Sequence, residues 1–262
     1  MLAARWDVGM IGTGGHALRS QSTRLVLQLT TFGGLSVRLD GTPITGAITQ
    51  RRQLALLALL AVAREEGMSR EKLLAYLWPE KEANRARHNL NQLVYFQRRH
   101  AGQEGFFEGR KTLRLNPTAV TADVWLFEDA LADGAPDRAV QAYRGPFLDG
   151  FFLPEAAEFE AWVEQQRRRF GRRCAEALEG LARTALASGG LAEAVGWLRR
   201  SQEIDSLDAR TAVSLAEALV RSGDRPAALR ALRWHREQVW KELEVEADPA
   251  VRRLEESLAQ SS

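Results

Sequence analysis

A shift of 34 residues lays part of the second half of this chain over itself: Ala182 falls on Ala216, Gly189 on Gly223, Ala194 on Ala228 and Leu198 on Leu232. Such a period leaves few folds open. Each unit must be a pair of helices that cannot bury its apolar side alone and so stacks on its neighbours, with small residues where helices cross. A poorer copy lies upstream, where Ala130-Leu131-Ala132, Gly134, Ala139 and Val140 match Ala185-Leu186-Ala187, Gly189, Ala194 and Val195 at a shift of 55. The larger shift implies an insertion, and the Gly/Pro-punctuated run Tyr143–Pro154 supplies one.

A period of 34 is that of tetratricopeptide repeats, and from Asp123 onward the pattern outside the insertion is helical. Two departures stand out. The proline usual after the second helix is replaced by Ser206 and Trp240, and His235 takes the place of a typically small residue.

The first half reads differently. Leu25–Leu29 and Leu35–Leu39 are strand-like, with Phe32-Gly33-Gly34 between them, and Asp40-Gly41 begins a turn after which Ile44–Ile48 is a candidate third strand. The period then becomes helical. Leu54, Leu57, Ala58, Ala61 and Val62 form one face of a helix over Gln50–Glu66, ended by Gly67. Ser69 is the N-cap of a short helix with Leu73, Leu74 and Leu77 on its apolar face, closed by Trp78-Pro79. A third helix spans Asn84–His100. Phe106–Asn116 then makes a hairpin whose tip, Glu108-Gly109-Arg110-Lys111, is basic, and Pro117 ends it.

The third helix carries the functional argument. Ala86, Leu90, Leu93 and Val94 share one face; His88, Asn91, Gln92, Tyr95 and Arg99 share another, with Arg85 and Arg87 leading in and Arg98 near the end. Asn and Gln match the bidentate edge of adenine and Arg that of guanine, while terminal cations suit phosphates. No acidic residue stands between Asn84 and His100, whereas an ordinary solvated helix face carries Glu beside Lys. A short helix before it and a basic hairpin after it make a helix-turn-helix with a wing. Charge agrees: residues 1–120 hold 17 Lys+Arg against 9 Asp+Glu, net +8, and residues 121–262 hold 19 against 25, net −6. The basic half is suited to a polyanion and the acidic half is not.

The run Phe32–Asn116 resembles the OmpR-type winged helix in its N-terminal form. The resemblance rests on Phe32-Gly33-Gly34-Leu35-Ser36-Val37, Arg51-Arg52-Gln53-Leu54-Ala55-Leu56-Leu57, Leu73-Leu74-Ala75-Tyr76-Leu77-Trp78-Pro79 and Ala86-Arg87-His88-Asn89-Leu90. The second half resembles the bacterial transcriptional activator domain through Tyr143-Arg144-Gly145-Pro146-Phe147-Leu148, Trp162 with Arg167-Arg168-Arg169, and Glu242-Leu243-Glu244-Val245-Glu246 with Pro249. Together, over about residues 25–260, they are similar to the Streptomyces antibiotic regulatory protein (SARP) family. The resemblance implies a mainly α chain: a loose tail over residues 1–24, a winged helix-turn-helix with a small antiparallel sheet over 25–118, and an all-α tetratricopeptide-like domain over 119–262. It further implies that the third helix enters the major groove of double-stranded DNA, that the hairpin acts as the wing, and that the helical domain assists dimerisation or activation. Carried over, His88, Asn91, Gln92 and Tyr95 are base-reading candidates; Arg85, Arg87, Arg98, Arg99, Arg110 and Lys111 are phosphate candidates. Gln97 departs from the family, which usually has a buried Leu there.

Other chemistry finds little footing. Gly109-Arg110-Lys111-Thr112 lacks the Gly-Lys adjacency of a phosphate loop, and Gly12-Thr13-Gly14-Gly15 lacks the strand and helix of a dinucleotide fingerprint. His16, His88, His100 and His235 show no metal-ligand spacing, so neither metal nor cofactor is expected, and no enzyme. Cys174 is the one cysteine, which excludes an intramolecular disulfide; a packing role and a cytoplasmic setting are expected. The most apolar stretch, Leu54–Ala63, is about half a membrane span, and residues 1–23 lack the apolar core of a secretory signal. With about 24 residues ahead of the winged helix, neither a receiver domain nor the ATPase module of longer relatives is expected. The arginines of Arg167–Arg173 are expected on a solvated helix face flanked by Glu160, Glu164 and Glu176, with a second phosphate patch as the alternative. The leading expectation is a sequence-specific DNA-binding activator that works as a homodimer on repeated half-sites and contacts RNA polymerase. The alternative is a repeat scaffold whose winged helix binds protein.

Overall fold

The computed structural model describes residues 26–44, 50–100 and 105–260, and of residues 96–100 the backbone alone. The tail expected over 1–24 lies outside them. Strands β1 (Leu27–Thr30) and β2 (Ser36–Leu39) are antiparallel, with Leu27 opposite Leu39 and Thr30 opposite Ser36. A third strand, β3, is Thr42–Pro43; of the candidate strand Ile44–Ile48, all but Ile44 lies outside the described residues. Asp40 and Gly41 both take positive φ, 47° and 79°, so a two-residue hairpin returns the chain at once and sets Leu39 against Thr42.

Helix α1 (Arg51–Ala63) was expected to have one apolar face, but every residue from Gln53 to Ala61 is buried. It is the central helix of the first half, packed against α2, α4 and β6, and a helix enclosed on all sides is apolar all round. It stops at Arg64, before the expected end. Gly67, at positive φ, donates back to the Ala63 and Arg64 carbonyls at the end of this helix, and a Cβ there would sit 2.5 Å from the Leu113 carbonyl of the hairpin. Next come β4 (Met68–Ser69), α2 (Arg70–Leu77) and α3 (Ala83–His100). The hairpin strands are β5 (Phe107–Glu108) and β6 (Thr112–Leu115), and β6 also pairs with β4.

The chain then returns to where it began. β7 (Val120–Ala122) pairs in parallel with β1, Leu27 opposite Val120, giving the first sheet the order β3-β2-β1-β7. The expected division at residue 118 falls inside one continuous apolar core running from Leu27 to Leu178. Its hub is Phe32, whose ring lies 4.8–6.4 Å from those of Tyr143, Phe127, Phe170 and Phe147. Asp123 ties the seam: its carboxylate accepts from the backbone N–H groups of Thr31, Phe32 and Val124 and from the Thr31 hydroxyl. The family motif Tyr143–Leu148 also lies here. Gly33 donates to the Pro146 carbonyl and Leu148 to that of Thr31, while Gly33 and Gly145 approach so closely that a Cβ on Gly145 would sit 3.0 Å from the Gly33 Cα.

The helical half comprises α4 (Asp123–Ala132), α5 (Pro136–Ala142), α6 (Ala157–Ala187), α7 (Leu191–Ile204), α8 (Ala209–Arg221), α9 (Arg225–Leu243) and α10 (Pro249–Gln260). Its repeat is visible in its turns. Gly134, Gly189 and Gly223 each take positive φ and donate three residues back, to Leu131, Leu186 and Val220; the following residues donate five back, to Ala130, Ala185 and Leu219. This is one helix-ending motif used three times, so the upstream copy is a true helix pair with a short second helix. The two departures from the repeat meet each other. His235 is fully buried, and its Nδ1 lies 2.9 Å from the Ser206 carbonyl, an acceptor, so Nδ1 carries the proton. A second core, Ala182–Val251, fills the later pairs.

Candidate nucleic-acid interface

Ser69 begins the site. Its hydroxyl accepts from the Lys72 N–H at 3.2 Å and starts α2 as expected. Leu77 and Trp78 end that helix. Trp78 is buried beneath the Arg52 guanidinium, 5.9 Å from its ring, and Arg52 Nε donates to the Leu77 carbonyl at 2.9 Å. A short turn then leads into α3, which packs on α2 and β5.

The rotation of α3 is set by Ala86, Leu90 and Val94, exposed by only 2%, 1% and 4%. Those three anchors turn Asn84, Arg85, Arg87, His88, Asn91, Gln92 and Tyr95 to solvent. Tyr95 is 63% exposed, more than a packing role would leave it. The structure therefore gathers His88, Asn91, Gln92, Tyr95, Arg85 and Arg87 on one helix surface; the side chains of Gln97, Arg98 and Arg99 lie outside the described residues.

Beside this surface stands the hairpin. Phe107 faces Leu115 and Glu108 faces Arg114, which also pair by charge at 2.8 Å; Phe107, Leu113 and Leu115 are buried. Gly109 has φ +84°, and a Cβ there would sit 2.0 Å from the Thr112 carbonyl, so the tight tip requires glycine. The tip leaves Arg110 and Lys111 exposed.

One residue escaped the sequence reading. Arg70, at the start of α2, donates from Nη1 to Asn91 Oδ1 at 2.9 Å and from Nε to the Arg110 carbonyl at 2.6 Å. It joins the third helix to the wing. A signal was present: a cation in the first turn opposes the helix dipole, so a tertiary partner is to be sought there.

The second arginine cluster differs from both sequence readings. Arg167 donates to the Phe147 and Leu148 carbonyls and pairs with Glu164, while Arg169 and Arg173 converge on Glu128, which also meets Arg64. These cations join α6 to α1, α4 and the Tyr143–Leu148 segment. Glu160 is engaged elsewhere, accepting from the Leu153 N–H. Cys174 is fully buried and burial pushes its thiol up to about 12, so it packs rather than reacts. Among the described residues, no group of His, Cys, Asp and Glu could hold a metal ion, and no helix is long and apolar enough to cross a membrane.

The structure thus joins a winged arrangement of α2, α3 and the β5–β6 hairpin through one core to a stack of helical repeats. The chain belongs to the bacterial transcriptional activator domain family, whose model matches residues 123–259, from the first residue of α4 to the end of α10. Among solved structures it is similar to Mycobacterium tuberculosis EmbR in complex with a low-affinity phosphopeptide, with TM-score 0.61 and 22% identity. That match covers 90% of this chain and 65% of EmbR, so the chain spans just under two thirds of that protein's length, and the likeness is one of fold. No curated protein matches the chain.

Proposed function

We propose that this protein binds double-stranded DNA sequence-specifically and activates transcription, reading the major groove with α3 and holding the backbone with the wing. The observation that carries this reading is the exposed face of α3, free of acidic residues from Asn84 to His100, fixed by buried Ala86, Leu90 and Val94 and flanked by exposed Arg110 and Lys111. Amide, imidazole and phenol groups there suit base edges, and Arg85, Arg87, Arg110 and Lys111, with Arg98 and Arg99, suit phosphates. The family supports action at promoters. We propose homodimers on repeated half-sites, with the helical domain contacting RNA polymerase.

An anisotropy titration with genomic fragments at several salt concentrations tests it. The expected result is tight binding to a subset of fragments, with an affinity that falls steeply as salt rises. Absence of binding even at low salt would leave the repeat scaffold as the better reading. Footprints of bound fragments would give the half-site spacing and position relative to promoters.

A further inference from the structure

Arg70 gathers three pieces that the sequence keeps apart. Its Nη1 donates to Asn91 on α3 and its Nε to the Arg110 carbonyl at the wing tip, while its backbone N–H donates to the Lys111 carbonyl at 3.3 Å. A planar guanidinium suits this task, because its N–H groups diverge at fixed angles and one side chain spans two acceptors; a lysine ammonium has neither that reach nor that geometry. The consequence falls on Asn91. Bidentate reading of adenine needs the carboxamide oxygen to accept while its nitrogen donates; here one of that oxygen's two acceptor sites is held by Arg70, which fixes the carboxamide on the clamp rather than leaving it to turn to a base edge.

We infer that Arg70 is a positioning residue that clamps the wing to the third helix through Asn91, and that Asn91 serves this clamp while base reading falls to His88, Gln92 and Tyr95. The inference rests on the DNA-binding reading above, while the clamp is made by this chain's own residues alone. It sets the angle between helix and wing within the protein, so both elements would meet the duplex in register.

The test compares Arg70→Lys, Arg70→Ala, Asn91→Ala and the double alanine variant of the full chain by two measurements. The first is amide hydrogen exchange across residues 109–112 in the free protein. The second is titration of an operator duplex selected from genomic fragments, alongside a scrambled duplex, at several salt concentrations. Arg70→Lys keeps the charge, so its salt slope and scrambled-duplex affinity should match wild type, while operator affinity falls about tenfold. Asn91→Ala should weaken operators altered at any one base pair by a common factor, and the double variant should lose no more than Arg70→Ala alone. Exchange at the wing tip should quicken in both Arg70 variants. Full operator affinity in Arg70→Lys would reduce Arg70 to a phosphate contact. Losses that multiply in the double variant would return Asn91 to base reading, and unchanged exchange would remove the clamp. If wild type binds no duplex, the DNA-binding reading falls, while the exchange result alone still decides the clamp.

Discussion

Two clusters of arginine look alike in the sequence and meet opposite fates. Around α3 and the wing, Arg85, Arg110 and Lys111 are exposed and have no carboxylate partner among the described residues. On α6, Arg167, Arg169 and Arg173 are engaged by Glu164, by Glu128 and by the carbonyls of Phe147 and Leu148. The local density of positive charge does not separate the two; what separates them is whether the fold brings an acceptor. An arginine already bonded within the chain has little to offer a phosphate, because leaving its partner costs what the new contact returns.

The comparison can be attacked at its strongest point first. Glu128→Ala removes the shared partner of Arg169 and Arg173, which are left as partly exposed cations facing each other, while Arg64 keeps Asp129 at 2.7 Å. A loss of about 2 kcal/mol is expected, below the value for a fully buried pair because solvent screens the arginines. Urea unfolding checks it, and unaltered stability would mean the α6 cluster is solvated after all. Gln92→Ala should cost about 1–2 kcal/mol on the operator and little on random duplex, measured by competition titration. Equal losses on both would move Gln92 from the base-reading group to the phosphate group.

Lys111→Ala is expected to weaken all duplexes alike and to flatten the slope of log affinity against log salt by about one. Arg168→Ala gives the smallest effect. Exposed on α6 beside the engaged arginines, it should leave stability within about 0.5 kcal/mol and the salt slope untouched. A slope change there would make α6 a second phosphate-binding surface.

Much of the site was legible because it depends on neighbours three or four residues apart. The separation of Ala86, Leu90 and Val94 from His88, Asn91, Gln92 and Tyr95 follows from helical periodicity, and the structure keeps it. Ser69 as a cap and Gly189 and Gly223 as equivalent turns are likewise local. Arg70 was not legible as a clamp, since its acceptors lie 21 and 40 residues away. The full burial of α1 was missed for a related reason: periodicity can show which face of a helix is most apolar, but not how many neighbours will cover the others.

The helical repeat, its glycine turns and the acid-free face of α3 follow from the order of residues alone, because each is set by torsional preference and by the spacing of apolar residues along one element. Long-range packing settled the rest. It paired β7 with β1 and tied Asp123 to Thr31, 92 residues away, gathered Phe32 and its ring partners into one core, and gave Arg167, Arg169 and Arg173 their acceptors while leaving Arg85 and Arg110 in solvent. Those outcomes turn on long-range pairing, where many partners of equal chemistry compete and packing geometry selects among them.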